Sequence, residues 1–172
     1  MSGIPLPIET ERLLIRQLRL DDAESLHELY SDAYAMRFLA DRVPETIAES
    51  RSWVQAKIDL FKRDAGMSLW AVVERASSRV VGDAGLQWEV GELDLGCRIV
   101  PRFQGRGYAS EASRAIVAAA FAADHERLTA STHVEHAAAR HVLERIGFHF
   151  EHETEWCGRP MARYVLEACA RD

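Results

Sequence analysis

The stretch PRFQGRGYASEA, residues 101–112, leaves a strand-like segment, passes two glycines around an arginine and runs into an alanine-rich helix. A helix start leaves backbone N–H groups without partners and carries a partial positive charge. Glycines beside it let phosphate oxygens approach the backbone. Gly105 and Gly107 clear side chains from the rim, Arg106 adds a cationic donor, and Ala109 keeps the first turn small. The residues predict a small anion-binding hole, and a plain glycine turn reads the same spacing. Two other phosphate signatures are excluded. A P-loop ends in Gly-Lys, and the chain has no such pair. A dinucleotide fingerprint would put its third glycine at Ser110, and the strands before the loop read as antiparallel.

Working outward, Ser68–Glu74, Arg79–Gln87 and Glu92–Val100 read as three consecutive strands separated by turn-like Ala-Ser-Ser and Val-Gly-Glu. The helix after the loop runs to about Ala123. Leu128–His133 reads as a strand, and Glu135–Ile146 as a helix stopped by Gly147. Phe148–Glu153 and Ala162–Glu167 form a closing hairpin. On the N-terminal side, Arg12–Gln17 reads as a strand. Asp21 and Asp22 cap a helix with Ala23, Leu26, Leu29 and Tyr30 at helical spacing. Thr46 and Glu49 make a capping box for a helix to Lys62. The order β-α-α-β-β-β-α-β-α-β-β predicts an α+β layer fold. Nothing divides residues 1–172, so one domain is expected.

Composition narrows the function. Hydrophobic residues make up 48%, enough for a core, and the net charge of −6 argues against broad nucleic-acid binding. The longest apolar run, Ala115–Ala123, is too short to cross a bilayer, and the N-terminus lacks a signal-peptide pattern. A cytoplasmic protein without membrane attachment is expected. Cys97, Cys157 and Cys169 form no CxxC pair and read as reduced thiols. His136 and His141 are five apart and point to different sides of a helix, so with His133 they predict no metal site.

Gln104-Gly105-Arg106-Gly107-Tyr108-Ala109 resembles the [RQ]-x-x-G-x-[GA] loop of the GNAT acetyltransferases. Together with Glu9–Arg16, Leu93–Gly96, Ala109–Ala112 and Val142–Phe148, it is similar to the branch of ribosomal-protein N-terminal (RimJ/RimL-like) acetyltransferases. The resemblance covers nearly the whole chain. It implies the GNAT fold: a mixed central sheet of about seven strands, splayed in the middle and flanked by about four helices. It implies acetyl-CoA as cosubstrate, with its pyrophosphate on N–H groups from Gly105 to Ala109. The pantetheine arm would run along Ile99 and Val100, between that strand and Leu128–His133. A backbone N–H near Ile99 would meet the oxyanion.

Acyl transfer to an amine needs a base, an oxyanion donor and held substrates, and benefits from an acid. Alternation puts Glu92, Asp94, Gly96 and Arg98 on one strand face and Leu93, Leu95, Cys97 and Ile99 on the other. Asp94 aligns with the acidic residue of the family's E-[IL]-G-Y pattern and is the first choice of base, directly or through a water. A solvated strand-face carboxylate is the plainer reading, and Glu92 is the alternative base. Cys97, on the opposite face, is a poor nucleophile candidate. The tyrosine acid of many family members is replaced by Leu143, and the branch's N-x-x-S by His136-Ala137-Ala138-Ala139. His136 is therefore the candidate acid or pantetheine donor, or else a surface histidine. Arg140 either reaches a CoA phosphate or pairs with Glu144. By the same resemblance, Tyr34, Met36, Phe38 and Trp156 border the acceptor cleft. The expected activity is direct acetyl transfer to a primary amine, of a protein N-terminus or a small molecule. A CoA-binding sensor without useful catalysis is the alternative, and a homodimer is one assembly the sequence allows.

Overall fold

The computed structural model describes residues 3–39 and 42–168. Cys169 lies outside the described residues. The strands are β1 (Ile8–Glu9), β2 (Leu13–Arg16), β3 (Ser68–Glu74), β4 (Arg79–Glu89), β5 (Glu92–Ile99), β6 (Arg127–His133), β7 (His149–Trp156) and β8 (Arg159–Glu167). The helices are α1 (Asp22–Tyr30), α2 (Ala33–Met36), α3 (Ile47–Arg63), α4 (Tyr108–Ala122) and α5 (Ala137–Arg145). The strands form one mixed sheet in the order β1-β2-β3-β4-β5-β6-β8-β7. All neighbours are antiparallel except β5 and β6.

Among the described residues the sheet has one strand more than expected, and there is one helix more. β1 is a two-residue bridge after Pro7, and α2 is a single turn capped by Asp32, whose carboxylate accepts from the N–H groups of Tyr34 and Ala35. Neither is long enough to show a period. At α3 the capping box forms as read, with Thr46 and Glu49 bonding each other's backbone. At α1 the side chain of Asp21 makes no cap. Asp22 instead holds Arg16 through two bonds of 2.8 Å and accepts from Arg19 N–H. The C-terminal hairpin extends beyond its expected limits because Cys157 and Gly158 both take positive φ at its turn.

Two layers of helix sandwich the centre of the sheet. α1 and α3 pack on one face, where Tyr30 meets Asp83 of β4. α4 covers the other, where Cys97 Sγ lies 4.0 Å from the carbonyl of Ala109. Leu13, Ile15, Leu26, Trp70, Val72, Leu86, Ile116, Leu128 and Tyr164 are fully buried between these layers. Met36, expected at the acceptor cleft, is 1% exposed and belongs to the core. Among the described residues, no helix is long and apolar enough to cross a membrane.

Candidate active site

The sheet opens between β5 and β6. These parallel strands share a single ladder pair, Asp94 opposite Thr129, and diverge beyond it. Val100 N–H donates to Val81 on the β4 side. Successive backbone groups of a strand point in opposite directions. The N–H of Ile99 therefore faces the opening. Its carbonyl accepts from the Gln104 side-chain amide at 2.9 Å, which folds the chain back after β5 and uses up that amide.

The loop residues converge at the open end. Gly105 and Gly107 have φ of +75° and +80°, a region that costs other residues. A Cβ at Gly105 would meet nothing within 4 Å, so backbone conformation rather than crowding selects glycine there. Gly107 precedes α4 without any side-chain cap, and the α4 ladder begins with Glu111 N–H on the Gly107 carbonyl at 3.1 Å. The N–H groups of the first turn are thus left for a ligand, as helix geometry requires. The turn is held from behind. Glu111 accepts from Thr10 at 2.6 Å and from the Arg12 guanidinium at 2.5 and 2.6 Å. Arg12 also donates to the Arg106 carbonyl at 2.9 Å and lies over the Tyr108 ring. Tyr108 is buried, and its hydroxyl donates to Glu74. The side chain of Tyr108 therefore anchors the loop, and only its backbone is free. Arg106 packs on Phe103 and donates to the Arg102 carbonyl. A shallow cavity of about 550 Å³ beside this turn is lined by Arg12, Gly107, Ser110, Arg114 and Arg145 among others.

Asp94 is half-buried at the point where the strands part. It accepts from Thr129 Oγ1 at 2.9 Å and from Ser131 Oγ at 3.4 Å. Burial nevertheless raises its pKa above the usual aspartate value, outweighing those bonds and the attraction of Arg163. It is thus not a solvated carboxylate. Glu92, the alternative base, is taken up by Arg127 and Arg163. Cys97 is held by burial at a pKa of about 12, which suits the reading of an inert thiol.

His136 is the N-cap of α5 rather than part of its first turn. Its N–H bonds the His133 carbonyl while Glu135 N–H bonds His133 Nδ1, and this local turn delays the helix to Ala137. The half-buried imidazole has a lowered pKa from burial, then from Arg37 and His133. His133 lies four residues beyond Thr129 on β6, or roughly 13 Å along an extended strand. Asp94 and the two histidines thus occupy different depths of one opening. Phe38 reaches the histidines from the segment after α2, with ring centroids 4.5 Å from His133 and 5.0 Å from His136. Tyr34 is exposed beside it, and Trp156 stands at the far edge on β7.

Arg140 does not face the opening. Its guanidinium donates to Tyr164 OH at 2.9 Å and to the Val134 carbonyl at 3.1 Å, and Tyr164 OH in turn donates to Glu144. The expected pairing with Glu144 is relayed through a buried tyrosine. Leu143 is buried in the core. The partners of Asp94 were missed in the sequence. The signal was the alternation of Thr129, Ser131 and His133 against Leu128, Ala130 and Thr132, which puts two hydroxyls on one strand face.

Residues 12–149 match the family model of the acetyltransferase (GNAT) domain. YoaA, an uncharacterized N-acetyltransferase of Bacillus subtilis, is 26% identical over 148 residues, 84% of this chain and 83% of its own. A solved GNAT-family acetyltransferase from Bacillus anthracis superposes with a TM-score of 0.83 at 24% identity, covering 94% of this chain and 98% of that one. RimL, a ribosomal L7/L12 alpha-N-protein acetyltransferase solved with coenzyme A, superposes with a TM-score of 0.78 at 20% identity, over 94% and 98% of the two chains. Those two likenesses establish the shared fold. With four-fifths of its length inside the family model, this chain belongs to the GNAT family and is an acetyltransferase.

Proposed function

We propose that the chain, acting as one catalytic unit over residues 1–172, transfers acetyl from acetyl-CoA directly to a primary amine. The observation that carries this reading is the single Asp94–Thr129 rung, which leaves an interior strand edge beside the uncapped first turn of α4. The residues fit the cosubstrate. N–H groups from Gly105 to Ala109 bind the pyrophosphate, the Ile99 N–H pairs with a pantetheine carbonyl, and Gln104 fixes the bend between them; Val100, whose N–H bonds Val81 and whose carbonyl accepts from Phe103, only lines the path. Acetyl-CoA, when bound, supplies an activated acyl carbon and a thiolate leaving group. Asp94 takes the proton from the amine, directly or through a water, and its raised pKa makes it a stronger base than an ordinary aspartate. An N–H of β5 nearer Asp94 that faces the opening by the same alternation, that of Cys97, stabilises charge building on the acyl oxygen. His136, kept neutral by its surroundings, acts as a hydrogen-bond donor at the mouth. No dedicated acid is required, because a thiol with a pKa of about 8.5 leaves readily as thiolate. Likeness to RimL supports a protein N-terminus as the acceptor.

Calorimetric titration with acetyl-CoA, desulfo-CoA and 3′-dephospho-CoA tests the cosubstrate, in wild type and in Gly107→Trp with its fold checked by circular dichroism. Saturable binding lost in the folded variant is expected. Absence of binding in wild type refutes the reading. Thiol release across a panel of amines and peptide N-termini separates a catalyst from a sensor: binding without release on any amine favours the sensor.

A further inference from the structure

We infer that the acceptor of this site is a peptide-like amine carrying an acidic group two to three residues from the reactive nitrogen, recognised by Arg37, His133 and His136. The inference rests on the reading of Asp94 as the base.

The three groups are assembled around one ring. The Arg37 guanidinium lies 4.3 Å from the centroid of Phe38, and His133 stacks on the same ring at 4.5 Å with His136 at 5.0 Å. Arg37 also covers the Tyr34 ring at 3.7 Å and donates to the Tyr34 carbonyl. These contacts fix the guanidinium but leave most of its five N–H donors unused. His133 Nδ1 accepts from the backbone of Glu135, so the neutral ring carries its proton on Nε2 and can donate there. Among the described residues, none of the three lies within ion-pair distance of a carboxylate, and Arg37 and His133 both disfavour a proton on His136.

The chain holds 27 acidic against 21 basic residues, an excess of carboxylates available to pair with cations. The other arginines around the opening are so paired: Arg98 with Asp83, Arg163 and Arg127 with Glu92. A cationic corner left without a carboxylate in an acidic protein is matched to an anion from outside.

Spacing selects the kind of anion carrier. Thr129, Ser131 and His133 share a strand face, and Asp94 bonds the first two. The cationic corner therefore lies on the side of Asp94, roughly 13 Å further along β6. Three extended residues span roughly 10 Å, and side chains at both ends close the remainder. A peptide with its amine at Asp94 brings the side chain of its second or third residue to Arg37. The carboxylates of free glutamate fall short.

The test is titration of the full chain with Ser-Glu-Asp-Ala amide, Ser-Lys-Arg-Ala amide and free L-glutamate, read on the imidazole resonances of His133 and His136. Saturable shifts are expected with the acidic peptide only, weakening about fivefold between low and physiological salt. Arg37→Gln should weaken binding about tenfold, and Arg37→Lys should restore part of it. Equal shifts with both peptides, or none with either, overturn the inference. Glutamate binding as tightly as the acidic peptide overturns the spacing and leaves a small amino acid as the source of the anion. The acetyl-CoA titration is read on the same samples. Loss of acidic-peptide binding with intact acetyl-CoA binding refutes this inference alone, and the reverse refutes the proposed cosubstrate alone.

Discussion

Arg98 of β5 grips Asp83 of β4 through two bonds of 2.8 and 2.6 Å, with Asp83 at 0% exposure and Tyr30 OH 2.5 Å from the same carboxylate. A buried two-armed pair is costly to break from one side, because the surviving charge has no water to turn to. Asp83→Ala should lower unfolding free energy by about 3–5 kcal/mol. Urea denaturation measures it. A loss below about 1 kcal/mol would show that Arg98 finds another partner or reaches solvent.

Lys57 lies over Tyr30 and Trp53 beside the same pair. Burial, then Arg98, lowers its pKa to about 8 against the attraction of Asp83. The unfolded chain holds that proton up to about pH 10.4. Between the two values the unfolded state binds more protons, so stability attributable to Lys57 rises with pH from about 8 upward. Lys57→Met should be more stable than wild type at pH 7 by about 1–3 kcal/mol, with the gap closing above pH 9. Parallel melts at pH 7 and pH 10 check the sign.

Asp94→Asn should lower kcat by about two to four orders of magnitude with the fold intact. In wild type, kcat/KM should fall as pH drops through the Asp94 pKa, which burial places above the usual aspartate range. The variant should lack that acid limb. A limb that survives in Asp94→Asn would belong to another group.

Cys97→Ala should retain turnover, since burial holds the thiol at about pKa 12 on the face opposite Asp94. The substitution should cost about 1–2 kcal/mol of stability through lost packing. Mapping of alkylated peptides should show Cys157, exposed at its hairpin turn, modified in the native state and Cys97 only on unfolding.

Much of this architecture is written in local chemistry. Thr46 and Glu49 announce the start of α3, Gly147 the end of α5, and the alternation around Asp94 the faces of β5. The glycines of the loop declare a positive-φ turn before a helix. What escapes the sequence is either short or tertiary. The Cys157–Gly158 turn escapes because cysteine seldom takes positive φ. Arg140 was legible as a cation on α5, but its partner Tyr164 lies on β8, a contact no spacing encodes. Glu92 read as an alternative base because nothing in its neighbourhood reveals two arginines arriving from β6 and β8. The corner of Arg37, Phe38, His133 and His136 joins residues about a hundred positions apart.

The one-rung join between β5 and β6 has a consequence for safety as well as chemistry. Unpaired strand edges ordinarily invite another chain to add itself, and proteins usually blunt them with charge or cover. Here the unpaired edge lies inside the sheet, between β5 and β6, rather than at its rim. A chain that joins it must thread end-on between two strands of one sheet and cannot simply lie down beside one. The fold thereby keeps an adhesive surface away from neighbouring molecules and open to a guest that enters by its tip.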